Sequence, residues 1–344
     1  MLLLLICSSP LLAGSYTEKN KTISKSYTVE AATLVGIDNA FGTVEVTGWD
    51  QKQVEVFIEI KVEAKNDADA QRLLDRISVE IDDNKPGSQL RFRTVMQEKN
   101  GWGSSAEHFE INYKVKMPAA NTLYVDNRHG ETVLGDFTGE INVETRHGNL
   151  RAGKLSGEVD IEVSFGSIYA GMLGAGKLQL RHSSNSEVRS MGALRLDVEH
   201  SELEVGESKD IDLSLRHSEL EVDNGTMIDG TVQHSELEIG KLSKGISLSI
   251  QHSSLEVDEL AKGFSLLDLD MQFTSVDVEI VQGASFSFDA EMTFGDIDIP
   301  SSGFNVSHRE KENHSIRYKG QAGSGSDARV RINGSHGNVD LSWK

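Results

Sequence analysis

Twelve short apolar strands in this chain each run into a ring residue, after which the chain bends into a second short apolar strand. The rings are Phe41, His129, His147, Phe165, His182, His200, His217, His234, His252, Phe273, Phe294 and His336. From His129 to His252 the steps are 17 or 18 residues, the next two are 21, and the last is 42. A period of this length restricts the fold to arrays in which each repeat buries its apolar face only against its neighbours.

The segment 211–222, IDLSLRHSELEV, shows the unit. Ile211, Leu213 and Leu215 alternate with polar residues, which marks a strand with one buried face. His217 keeps that parity, so its ring is expected to point inward, whereas Leu220 and Val222 fall on the opposite parity. The phase slip between His217 and Leu220 marks a corner. After the ring comes Gly (130, 148, 166, 295, 337) or Ser/Thr (183, 201, 218, 235, 253, 274). Glycine supplies the positive φ of a tight corner, and a hydroxyl supplies a bond to nearby backbone. The expected fold is all-β: a single-stranded parallel β-solenoid, β-helix-like, with coils of 17–21 residues. Each coil holds two short strands and two turns, and stacked coils pair in parallel about 4.8 Å apart.

Four segments follow. Residues 1–14, MLLLLICSSPLLAG, read as a secretory signal peptide cleaved near Ala13 or Gly14. Residues 15–120 hold the first coil, AFGTVEV, and a β-rich cap with strands Gln53–Glu63, Ile77–Ile81, Gln89–Val95 and His108–Met117. A helix at 67–76 with Asn66 as N-cap and a turn at Asn84-Lys85-Pro86-Gly87 complete the cap. Residues 121–300 are the repeats, and 301–344 the last coils and a second cap. Cys7 is the only cysteine, and Ile6 stands where a lipoprotein box needs a small residue. With the signal segment removed no thiol remains, which excludes disulfides and cysteine metal sites. No other apolar run approaches the ~18 residues of a membrane span.

The net charge of −20 excludes nucleic acid and anionic headgroups as ordinary partners. Imidazole is the commonest metal ligand, so His182, His200, His217, His234 and His252 are the metal candidates. Phe shares their column, however, and cannot ligate; the twelve positions therefore read first as a structural ring ladder. His-Ser-Glu recurs at 200–202, 217–219 and 234–236, but neighbours on a strand face opposite ways, which is poor geometry for a catalytic triad. Glu202/Glu204, Glu219/Glu221, Glu236/Glu238, Glu256/Asp258, Asp277/Glu279 and Asp296/Asp298 face outward, and such ladders attract Ca²⁺ or another divalent cation. Arg128, Arg146, Arg181 and Arg216 precede the ring and are placed to offset the repulsion. No phosphate loop, zinc-protease helix or nucleophile elbow occurs, and neither catalytic residues nor a bound cofactor are expected.

The corners FGTVEV, HGNLRA, FGSIYA, FGDIDI and HGNVDL, with the opening NAFGTVEVTGWDQKQVEVFIEIKVEA, resemble the putative-adhesin family of bacterial exported β-strand-repeat domains. The resemblance runs from about residue 27 onward. It departs from the family where His replaces the usual Asn or Ser before the corner glycine, and where Ser replaces that glycine in the middle repeats. The resemblance implies an exported, envelope-associated, non-enzymatic solenoid in the periplasm, at the outer membrane or on the cell surface. Its implied partner is a protein or glycan at the envelope. The alternatives are a polysaccharide-active β-helix enzyme, for which only Trp49, Trp102 and Trp343 offer indole stacking surfaces, and a divalent-cation-binding envelope protein.

Overall fold

The computed structural model describes residues 16–85, 89–97, 108–324 and 328–344. The expected signal segment with Cys7, the Pro86-Gly87 half of the turn and Trp102 lie outside the described residues. Among the described residues there are 29 strands, joined in one hydrogen-bonded sheet, and one helix.

The repeats build two ladders at once. The strands before the rings pair with one another in parallel, as Leu194–Glu199 does with Asp210–Arg216. The strands after the rings do the same, as Glu202–Ser208 does with Glu219–Gln233. Like residues therefore stack: Leu196 on Leu213, Val198 on Leu215, Leu203 on Leu220 and Val205 on Val222. The apolar residues of both strand sets are buried; Leu215, Leu220 and Val222 are each 0% exposed. The alternation read from the sequence thus names the core correctly on either side of each corner.

The corner differs from expectation. The rings of His147, His182, His217 and His252 are exposed, not inward, and so are those of Phe165, Phe273 and Phe294. The cause is the backbone. Ten of the twelve ring residues, His147 through His336, carry φ between 49° and 56°, in the left-handed region. One left-handed residue reverses the side-chain alternation, so the ring turns out of the core and the next residue turns in. The phase slip therefore lies at the ring itself. In the two earliest corners Gly42 (φ 111°) and Gly130 (φ 145°) carry the positive φ instead.

The later corner glycines have a different task. A Cβ on Gly148 would lie 1.9 Å from the Gly130 carbonyl oxygen, and one on Gly166 equally close to that of Gly148. These corners stack too tightly for any side chain. From residue 183 to 253 Ser takes the position and is buried at 183, 201, 218 and 235; Thr274 follows, and Gly returns at 295 and 337.

Order in space departs from order in sequence at both ends. The Phe41 repeat (Leu34–Asn39, Val44–Trp49) pairs on one side with the His129 repeat. On its other side it pairs with Gln89–Met96 and His108–Pro118. An antiparallel strand, Ile77–Lys85, continues from the first of these, and Gln53–Ala64 with Thr17–Thr28 continues from the second. The helix Asp67–Asp75 is capped by Asn66, whose Oδ1 accepts the Asp69 N–H at 3.0 Å, and buries Ala70, Leu73 and Leu74. At the other end the His336 repeat (Ala328–Ser335, Asn338–Trp343) lies between the Phe273 and Phe294 repeats, pairing in parallel with both. The hairpin Phe304–Glu312/Ser315–Ala322 adds antiparallel strands beyond Phe286–Thr293.

Candidate functional site

All twelve predicted rings enter one continuous column, in the spatial order Phe41, His129 and onward to Phe273, then His336, then Phe294. From His182 to His252 the centroids are 4.9–5.0 Å apart and the planes lie within 6°. The spacing is that of neighbouring strands, so the column is the parallel register made visible at the surface. Two rings that the repeat pattern missed close its ends. His314, in the turn of the hairpin, stacks on Phe294 at 4.8 Å. Phe109 meets Phe41 edge-on, also at 4.8 Å. Neither follows the ring-corner sequence, so periodicity gave no signal for them.

Beneath the rings runs a hydroxyl ladder. Each Ser accepts the N–H of the corresponding Ser one repeat back: Ser183 N to Ser201 Oγ (3.0 Å), Ser201 N to Ser218 Oγ (3.0 Å), Ser218 N to Ser235 Oγ (3.1 Å) and Ser235 N to Ser253 Oγ (3.0 Å). Ser201, Ser218, Ser235 and Ser253 each donate at 2.7 Å to the carbonyl two residues earlier. Buried backbone donors at the corner are thus satisfied without glycine, which offsets the cost of the left-handed rings. In the first repeats buried amides do comparable work. Asn39 Nδ2 donates to the Ile111 carbonyl at 3.0 Å, and Asn127 Nδ2 to those of Gly42 and Glu131 at 3.2 Å.

An open groove of about 940 Å³ follows this corner. His200, His217, His234 and His252 line it with the serines and with Glu202, Glu219 and Glu236. Beside it a column of carboxylates stacks in register: Glu187, Glu204, Glu221, Glu238, Glu256, Asp277, Asp340 and Asp298. Arg189 lies 3.9 Å from Glu187, while the other seven have no ion-pair partner among the described residues. Burial first, then Glu236, Glu256, Glu221 and Glu219, push the Glu238 carboxyl above the ordinary carboxylate range. Burial and then Asp340, Glu279 and Asp258 do the same to Asp277.

The arginines before the rings do not relieve this column. Arg216 pairs with Asp197 (3.3 Å) and Glu199 (3.4 Å), Arg181 lies 3.9–4.0 Å from Glu199 and Glu162, Arg146 bonds Glu144, and Arg128 lies 3.6 Å from Asp126. All of these carboxylates lie on strands before rings. These arginines therefore pair on the strands before the rings and leave the carboxylate column, Glu187 apart, without an ion-pair partner among the described residues.

The five histidines proposed as ligands are not arranged for chelation. A zinc–nitrogen bond of about 2.1 Å holds two nitrogens within roughly 4.2 Å of each other with converging lone pairs. Parallel rings 4.9–5.0 Å apart aim theirs side by side. Among the described residues no group of three or more His, Cys, Asp or Glu is placed to hold a metal ion.

No family model and no curated protein matches the chain. Several solved structures resemble it. One is titled a putative cell adhesion protein from Clostridium sporogenes ATCC 15579, at 13% identity over 94% of this chain and 100% of that one, with a TM-score of 0.19. Another is titled a putative adhesin from Parabacteroides distasonis ATCC 8503, at 14% identity over 93% and 97%, with a TM-score of 0.31. A third is titled a putative adhesin from Parabacteroides merdae ATCC 43184, at 9% identity over 93% and 96%, with a TM-score of 0.28.

Proposed function

We propose that this chain is a non-enzymatic, exported binding scaffold of the bacterial envelope, wound as a single-stranded parallel β-solenoid, with the ring-corner groove as its recognition face. The observation that carries the reading is the sameness of that groove. His, Ser and Glu recur there from consecutive repeats, at 200–202, 217–219 and 234–236. A catalytic pocket needs one unique constellation of groups that touch a reacting atom. A row of equivalent groups instead suits an extended ligand that makes many small contacts.

Export is supported by the apolar opening MLLLLICSSPLLAG. No described helix is long and apolar enough to cross a membrane. The charge of −20 keeps so long a repeat surface in solution and away from anionic polymers. The expected ligand is an envelope protein or glycan, and no cofactor is required.

The test is a glycan array and an envelope-protein overlay, probed with wild type and with the triple variant His200→Ala/His217→Ala/His234→Ala. Binding by wild type and loss of at least tenfold in the variant supports the reading. Equal binding by both moves recognition away from the groove. Turnover of any arrayed polysaccharide overturns the non-enzymatic assignment.

A further inference from the structure

The His336 repeat fills a slot that the rest of the chain has already enclosed. Its first strand pairs from Arg329 to Ser335 with Leu266–Gln272 on one side. On the other side it pairs from Ala328 to Ser335 with Phe286–Thr293. Its second strand pairs over its full length with Ser275–Ile280, and over Asn338–Asp340 with Asp296–Asp298. Val330, Ile332, Val339 and Leu341 are each 1% exposed. The His336 ring stacks 4.6 Å from Phe273 and 4.9 Å from Phe294. Arg331 adds contacts to Asp268 (3.1 Å) and Asp270 (3.4 Å).

The walls of that slot come from earlier sequence. Residues 266–280 form one wall and 286–298 the other, and the two are joined to each other before residue 328 is reached. Until the His336 repeat enters, each wall presents unpaired N–H and C=O groups of a parallel strand, and the floor presents apolar side chains. A strand entering there completes ladders on both of its edges, whereas a strand added to an ordinary sheet edge completes one. The link into the slot is short: Ala322 and Ala328 both pair with Phe286, from opposite sides, and only five residues separate them in sequence.

We infer that the gap between the Phe273 and Phe294 repeats is a strand-acceptor site, and that its second ligand, besides the chain's own residues 328–344, is the same segment of another copy of this chain. The recognition is chemical as well as topological. The entering segment must be extended, bring small or branched apolar residues at 328, 330, 332, 339 and 341, place a ring at the corner, and follow it with glycine. A Cβ on Gly337 would lie 2.1 Å from the Thr274 carbonyl oxygen, so any other residue is rejected there. A second copy meets every one of these conditions, and reciprocal exchange gives a closed two-fold pair.

The test keeps the whole chain. A protease recognition sequence is placed after Ser324 and the purified, folded protein is nicked there. The nicked protein is unfolded in denaturant and renatured with a tenfold excess of a fluorescent peptide of residues 328–344. Identical competitors partition by mass action, so about nine-tenths of the protein is expected to carry label. The same peptide with Val330→Asp and Leu341→Asp is expected to leave it unlabelled. Uptake of neither peptide overturns the acceptor site, and equal uptake of both shows unspecific adhesion and overturns it too. In a second arm, two intact versions with different affinity tags are unfolded together and renatured. Recovery of both tags in one species, absent when both versions carry Val330→Asp and Leu341→Asp on a folded remainder, supports exchange between copies. Failure to recover mixed species from the unsubstituted chains overturns the second-copy ligand while leaving the peptide result to stand or fall separately.

Discussion

His217 and His234 stack with centroids 4.9 Å apart and planes 2° from parallel, each on a backbone whose φ is close to 50°. A ring in the left-handed region costs free energy at every corner, and the stack with its neighbours recovers part of it. His217→Val should therefore destabilise more than His217→Gly. Both lose the stack, but a β-branched residue adds the steric penalty of positive φ, a difference of about 1–3 kcal/mol. Thermal and denaturant melts of the two variants check this order; equal melts would mean that the corner relaxes out of the left-handed region.

Ser218→Ala should cost about 1–3 kcal/mol although it removes one oxygen, because the Ser201 N–H then has no acceptor in a buried corner. The loss of the 2.7 Å bond to the Arg216 carbonyl adds to it. Chemical denaturation is the measurement. Ser190, part-buried with a 3.5 Å bond to the Gly171 carbonyl, is the control and should change little when replaced by Ala.

Leu215→Asp should unfold more than its own repeat. The side chain is 0% exposed and sits in register with Val198 and Val232, so an unpartnered charge there disrupts both neighbours. Leu215→Ala should lose about 2–5 kcal/mol. Hydrogen exchange across the Val198, Leu215 and Val232 strands reads how far the damage spreads.

Gly148→Ser should be far worse than the presence of Ser at 218 would suggest. The Cβ would meet the Gly130 carbonyl oxygen at 1.9 Å, and both are backbone positions fixed by neighbouring repeats. Loss of the soluble fold, or a large drop in Tm, is the expected result; a wild-type melt would show that glycine and serine corners interconvert freely.

Glu238→Gln should raise Tm slightly at pH 7. The folded carboxyl titrates above its unfolded value of about 4.3 because of burial and the four neighbouring glutamates. A raised folded pKa means that the folded chain binds more protons in that window. Stability is greatest below the unfolded pKa and falls as pH rises through the folded one, so the penalty is complete at neutral pH. The difference between wild type and Glu238→Gln should shrink as pH falls toward 4. A difference that grows on acidification would contradict the sign.

The apolar alternation made the strands legible, because a period of two survives wherever one face is buried. Ile211, Leu213, Leu215, Leu220 and Val222 are buried as their spacing requires. The sequence places the corner correctly but not its conformer. Parity extrapolated through His217 holds only while φ stays negative, and nothing in the letters H-S-E marks a left-handed residue. Glycine was the obvious carrier of positive φ, yet beyond Gly130 the ring residues carry it. The groove exists because the rings turn outward, since inward rings would leave no exposed column to line it. The placement of His336 between Phe273 and Phe294 was equally hidden: the sequence orders repeats along the chain, while pairing orders them by edge.

Both ends of the ladders are closed by segments specific to those ends, the strands at 53–64, 77–85, 89–96 and 108–118 at one and the hairpin strands at 304–312 and 315–322 at the other. The repeats between His182 and His252 touch neither. Each hands its successor the same ring, the same hydroxyl acceptor and the same apolar registers. Duplication or loss of one such unit changes the length of the molecule by a single strand spacing of about 4.8 Å and leaves both closures intact. Reach is therefore a quantity this architecture can evolve in small, separately viable steps.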